Sequence, residues 1–214
     1  HPDTKEEGGE NRVMANILNN LQSTVIAGIV LLIAIIVVVG LAGHMPSFDH
    51  NWFAFLFRYL HVLSGVMWIG LLWYFNFVQI PNMGKIPDEQ KPAIGKVIAP
   101  AALFWFRWGA MATIVTGLIL AWMSGYLVHA IALGFTDAGV STPIGIGMWL
   151  GTIMWFNVWF IIWPAQKKAL GMVEVDADTK AKAANMAKMF SRTNTLLSIP
   201  LLYCMVAAQN GGFM

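Results

Sequence analysis

"TVIAGIVLLIAIIVVVGLAG", residues 24–43, carries no charge and nothing more polar than its first threonine. A helix rises 1.5 Å per residue, so a segment of this length makes a rod of about 30 Å, the thickness of a bilayer's hydrocarbon core. Such a helix, apolar on every side, needs an apolar environment all round. The whole chain of 214 residues leans the same way. It is 57% hydrophobic and 11% charged, where soluble domains carry about a quarter of their residues as charges. Thirteen Met and ten Trp among so few charges also point to lipid as the solvent.

Four more segments are long and apolar enough to span: Trp52–Ile80, Ala99–Val128, Ile144–Trp163 and Thr193–Ala208. The last is the shortest. Its helix is expected to begin earlier, in the amphipathic stretch from Asp176, with Asp176 or Asp178 near its N-terminus. The expected fold is an all-α integral membrane protein of five transmembrane helices. Spans two to five form a four-helix bundle and span one is peripheral. A polar segment, 1–23, precedes one transmembrane domain, 24–214. The first residues, "HPDTKEEGGENR", lack the basic start of a secretory signal, and no structure is expected over residues 1 to 11.

The connections alternate in charge. "HMPSFDHN" between spans one and two has no Lys or Arg, and neither does "HAIALGFTDAGVSTPIG" between three and four. Lys85, Lys91 and Lys96 lie between spans two and three. Lys167, Lys168, Lys180, Lys182, Lys188 and Arg192 lie between four and five. Basic loops stay in the cytoplasm, so the N-terminus is expected inside and the C-terminus outside. A short internal repeat fits this order. "WYFNFVQIP" at 73–81 and "MWFNVWFIIWP" at 154–164 each place Phe-Asn ahead of a proline near the basic end of a span.

With that orientation, the polar groups of the spans and outer loops form two layers. The outer layer holds Arg58, His61, His129, His44, Asp49, His50 and Asp137. The inner layer holds Asn76, Arg107, Asn157, Arg192 and Asn194. His61 lies about nine residues, roughly 13 Å, past the start of span two. An ionisable group at that depth is costly and is a functional candidate by default. Arg58, Gly65 and Trp68 share its face at spacings of three, four and seven.

That face suits a haem held edge-on. The imidazole would bind iron, the guanidinium would pair with a propionate, and the glycine would make room. The competing reading has His61 bonding a neighbouring helix and Arg58 reaching to the headgroups. His129 is the only candidate within the spans for a second haem ligand. His44, Asp49 and His50 have the chemistry of zinc or copper ligands, or are solvated loop residues. The inner layer reads as structural. Arg107 either bonds Asn76, Asn157 and Asn194 inside the bundle or reaches out to water. Cys204 has no disulfide partner and reads as a small core residue. Ser198 with Pro200 marks an expected kink.

No phosphate-binding loop, dinucleotide fingerprint, metalloprotease helix or paired-carboxylate site occurs. Spans two to five hold no acidic residue, which disfavours a proton-driven transporter. The basic residues answer to topology, so nucleic acid is not an expected partner.

Three stretches, "RYLHVLSGVMWIGLLWYFNFVQIP" (58–81), "GTIMWFNVWFIIWPAQKKAL" (151–170) and "SRTNTLLSIPLLYCMVAAQN" (191–210), together resemble the N-terminal membrane domain of the bacterial membrane-bound urate oxidases, or urate hydroxylases. The resemblance implies a helical inner-membrane domain. In named members a cytochrome c domain follows, and urate is oxidised with electrons passing to that cytochrome. It sets His61 on the family's histidine in the H-x6-WIG segment, Asn157 and Pro164 on its FNV…WP segment, and Asn194 in its Thr-Asn segment. This sequence has no Cys-x-x-Cys-His, and it reads "AAQN" at 207–210 where the family's last span ends near Ser-Asn-His.

The expected function is an inner-membrane redox component that binds haem b and relays electrons to or from a separate cytochrome c or a quinone. The alternatives are a non-catalytic scaffold of a larger membrane complex or homo-oligomer, and membrane-bound urate oxidation.

Overall fold

Apolar runs punctuated by prolines produce long helices with local changes of pitch. The computed structural model describes residues 15–213, and every regular element among them is helical. The expectation for residues 1 to 11 lies outside the described residues. Helix α1 is Leu21–Val39, followed by a π turn at Gly40–His44. Helix α2 begins as His50–Trp73, widens into a π turn at Tyr74–Gln79, and ends through Ile80–Asn82 and a 3-10 turn at Met83–Lys85. Helix α3 runs from Lys91 through a π turn at Ile94–Ile98 into Ala99–Met123. The short α4 is Leu127–Ile131. Helix α5 is Thr142–Phe156, a π turn at Asn157–Ile162, and Trp163–Ala169. Helix α6 is Ala177–Asn210.

The π turns of α2, α3 and α5 each end two residues before a proline: Pro81, Pro100 and Pro164. Proline lacks an N–H, and its ring crowds the carbonyl one turn back. A wider turn relieves that crowding without ending the helix. The repeated Phe-Asn…Pro motif therefore encodes one backbone device twice. Pro200 lies inside α6, which continues through it as helix.

Among the described residues four helical stretches are long and apolar enough to cross a membrane: Leu21–His44, His50–Lys85, Lys91–Met123 and Thr142–Ala169. The fifth expected span, Thr193–Ala208, falls in the C-terminal half of α6, which is not among the four. Thr193, Asn194, Thr195 and Ser198 dilute its apolar character. The chain divides into two compact units, residues 1–52 and 53–214. In the first unit no residue of α1 itself is buried, although its mean hydropathy is the highest of the four.

In the second unit α2, α3, α5 and α6 share one core. It is built from Trp68, Ile69, Leu72 and Phe75, from Leu103, Phe106 and Ala110, from Met154, Val158 and Ile162, and from Leu201. Contacts run in opposite order along α2 and α3. Gly117 meets His61, Gly109 meets Trp68, and Phe106 meets Phe75 at 5.7 Å between ring centroids. At Gly109 an added Cβ would sit 3.3 Å from the Trp68 nitrogen, so only glycine lets the two backbones approach this closely without adjustment. Helices α5 and α6 are likewise antiparallel: Gly147 faces Cys204, Gly151 faces Leu201, and Asn157 bonds Asn194. The buried side of α6 reads Ala183, Ala187, Ser191, Asn194, Ser198, Leu201, Cys204 and Ala207. These three- and four-residue steps place mainly small side chains on one stripe, the pattern that brings apolar helices close. Cys204 is buried within it as a free thiol.

Carboxylates cap two helices. Asp176 precedes α6 as expected, and its Oδ1 accepts the Thr179 N–H at 2.9 Å. Asp49 Oδ1 accepts the Trp52 N–H at 2.9 Å at the start of α2. Hydrogen bonds from the Thr179 hydroxyl and N–H hold the Asp176 carboxyl below its ordinary value. The Trp52 N–H, with the Ser47 hydroxyl, does the same for Asp49. A depressed folded value means the caps contribute fully above about pH 4, the unfolded value, and fail as pH falls through the folded one. Hydrogen-exchange protection factors, taken relative to the intrinsic rate at each pH, should therefore fall at the first turns of α2 and α6 on acidification, while the helix centres stay protected. Asp176→Asn keeps an acceptor at the cap and should remove the pH dependence at α6.

Candidate functional site

His61 is set on α2 one turn inward from Arg58, in a stretch whose other side chains are apolar or small. Its Nδ1 lies 2.9 Å from the Thr113 carbonyl oxygen and 3.3 Å from Thr116 Oγ1, both on α3. A carbonyl only accepts, so Nδ1 must carry the proton. In the neutral ring Nε2 then holds the free lone pair. Thr116 Oγ1 itself donates to Ala112 O at 2.6 Å, which holds the hydroxyl against its own helix. The imidazole rests on Gly117, where an ideal Cβ would stand 2.8 Å from Cε1. Thus "TIVTG" at 113–117 forms a seat for one histidine, orienting it from one edge and from beneath.

The other residues of the expected haem face are arranged unevenly. Arg58 is exposed. Gly65 is open, and a Cβ there would meet nothing within 4 Å. Trp68 is 1% exposed and belongs to the core, with its indole nitrogen buried and unpartnered. His129, half-buried in α4, bonds Thr136 Oγ1 at 2.7 Å through Nδ1. Asp137 accepts the Ser141 N–H at 3.0 Å. Bonds from Ser141, aided by nearby His129, hold the Asp137 carboxyl below its ordinary value. An open pocket lined by Leu133, Phe135, Thr142 and Ile146 lies in the same loop, and its lining has no titratable side chain. His44, Asp49 and His50 are exposed, and Asp49 is used as a helix cap. Among the described residues no three or more His, Cys, Asp or Glu side chains gather as a metal-binding group.

The inner polar layer forms a set of interhelical bonds. Asn157 Nδ2 donates to Asn194 Oδ1 at 2.8 Å, and Asn194 Nδ2 donates to Met154 O at 3.0 Å. Asn76 Nδ2 donates to Ser191 Oγ at 2.7 Å and to Leu72 O at 2.9 Å. Trp73 Nε1 donates to Ser198 Oγ at 3.0 Å. Each asparagine of the repeated motif thus reaches α6. Arg107 takes no part in these bonds. Its guanidinium carbon lies over Trp163, 3.4 Å from the ring centroid. A broad indole face one helix away competes better for a planar cation than amides already committed to α6.

Thr113, Thr116 and Gly117 are the neighbours of His61 that the sequence reading missed. The signal was present in a threonine pair three apart followed by glycine, all on one side of α3. Its meaning depended on a histidine 52 positions away.

The urate oxidase N-terminal family model matches residues 123–212. Two of the three resembling stretches, 151–170 and 191–210, lie within that match, and the stretch 58–81 carrying His61 lies before it. No curated protein and no solved structure matches the chain.

Proposed function

We propose, starting from the urate oxidase N-terminal match, that this protein is a multi-pass redox component of the bacterial inner membrane that holds one haem b at His61. The membrane reading rests on the four long apolar stretches. A fifth crossing by the C-terminal half of α6 leaves the basic loops inside and the C-terminus outside. The haem reading is carried by one observation: His61 spends Nδ1–H on the Thr113 carbonyl. Histidine ligands are commonly fixed this way, and the bond leaves Nε2 as the ligand atom.

The neighbouring groups fit an edge-on macrocycle in part. Gly65 leaves open space one turn inward, and the exposed Arg58 guanidinium one turn outward suits a propionate carboxylate. Trp68 packs in the core instead of lining the macrocycle, and His129 is engaged in its own loop. His61 is therefore the single protein ligand in this reading. When bound, haem b supplies one-electron oxidation and reduction; the chain's own residues anchor it and orient the imidazole. The electron partner would be a separate cytochrome c or a quinone. Urate oxidation is the substrate reading that the family match supports.

The experiment is the visible spectrum of protein purified from haem-replete cells. A Soret band is expected, and His61→Ala should remove most of it. A colourless parent, or a His61→Ala variant with an unchanged band, would overturn the haem assignment. The reading left would be a scaffold, favoured by the bonds of Asn76, Asn157 and Asn194 to α6.

A further inference from the structure

We propose that Arg107, Trp163 and Lys167 form a seat for the phosphate of an anionic phospholipid, where the middle of α3 meets the basic end of α5. The seat is separate from the His61 site and rests only on the bilayer-spanning part of the reading above.

Two cations share one indole. Arg107 Cζ stands 3.4 Å from the Trp163 ring centroid, and Lys167 Nζ stands 5.7 Å from it. The two charges are thus at most about 9 Å apart. Among the described residues the ion pairs are Lys91 with Asp88 and Lys182 with Asp178, so neither cation has a carboxylate. Like charges gathered in a weakly polar setting repel, and an anion between them reverses the sign.

Arg107 also shows where the anion would bind. Its Nη1 is buried without a hydrogen-bond partner. Contact with Trp163 leaves Nη1 without an acceptor, and a guanidinium N–H is a donor suited to phosphate oxygens. One turn back along α5, Trp159 Nε1 is a second buried donor without an acceptor. The Trp159 ring meets Trp108, the residue after Arg107, at 5.5 Å between centroids. Two buried donors without acceptors, Arg107 Nη1 and Trp159 Nε1, therefore belong to the helices that carry the cation pair.

The surroundings favour a lipid over free phosphate. Phe104 and Trp108, flanking Arg107 on α3, are 48% and 49% exposed. Apolar surface beside a cation pair suits a molecule that carries a phosphate on acyl chains. The ester carbonyls below that phosphate could accept from Trp159.

The test uses the full chain reconstituted in vesicles of phosphatidylcholine, with and without phosphatidylglycerol, followed by native mass spectrometry of retained lipid. Phosphatidylglycerol should be retained in preference to phosphatidylcholine. Arg107→Gln should weaken that retention about tenfold, the scale of one lost charge-assisted bond, and Lys167→Gln by a smaller factor. Lys167 is near a helix end and half-buried, so it keeps the test open if Arg107→Gln fails to fold. Equal retention of both lipids, or variants that hold phosphatidylglycerol like the parent, would overturn the seat. Displacement of the lipid by millimolar inorganic phosphate would overturn the lipid assignment. A protein that enters neither vesicle would overturn the bilayer reading and the seat together.

Discussion

Asn194→Ala is expected to destabilise the helical bundle by about 2–3 kcal/mol. Asn194 is 0% exposed and makes both bonds that tie the start of the α5 π turn to α6. Interhelical hydrogen bonds in membranes contribute about 0.6 kcal/mol on average. Two of them account for about half of the effect. The rest comes from Asn157, 6% exposed, whose amide would be left without its acceptor; an orphaned buried donor costs about 1–3 kcal/mol. This asymmetry makes the prediction specific. The double variant Asn157→Ala/Asn194→Ala removes the orphan along with the bond, so it should cost clearly less than the sum of the two single changes. Reversible unfolding of the four proteins in one detergent measures the coupling. Strict additivity would mean that the two amides do not depend on each other and that the polar layer is not a connected network.

The helices were legible in the sequence because their signals are local. The uninterrupted run at 24–43 and the aspartate before the amphipathic stretch at 176 describe their own segments, and the structure places α1 and the α6 cap there. The repeated Phe-Asn…Pro motif was visible too, though not its cause: proline forces a local widening that no composition window registers. The partners of polar groups were less legible. His61, Asn76, Asn157 and Asn194 stood out as unusual residues in apolar surroundings. Which neighbour each one meets depends on helix rotation and register, which a sequence leaves open between α2 and α3 or between α5 and α6. Hence the sequence left Arg107 open between the asparagines and the water, and it lies on Trp163. Thr113 passed as one more small residue of α3, although its carbonyl fixes the tautomer of His61.

On the proposed haem reading, Gly117→Ala should lower haem occupancy about 10- to 100-fold while leaving the bundle folded. The new methyl would lie 2.8 Å from His61 Cε1 and 3.1 Å from Nδ1. A ring on two rotatable bonds yields more readily than two packed backbones, so the imidazole would turn and release Thr113 O. Removing the group that orients a metal-bound histidine typically lowers affinity by that factor. A purely structural His61 would also lose its bond, so this variant alone does not separate the readings. Gly65→Leu does. A Cβ at Gly65 meets nothing within 4 Å, and replacing a mid-helix glycine favours the helix by about 0.5–1 kcal/mol. The protein by itself should tolerate the change or gain from it. A macrocycle lying across that glycine would collide with the leucine. Gly65→Leu is therefore expected to match or exceed the parent in thermal stability and to lose most of the Soret band. A leucine variant as coloured as the parent would remove the haem from this face of α2, even if His61→Ala were colourless.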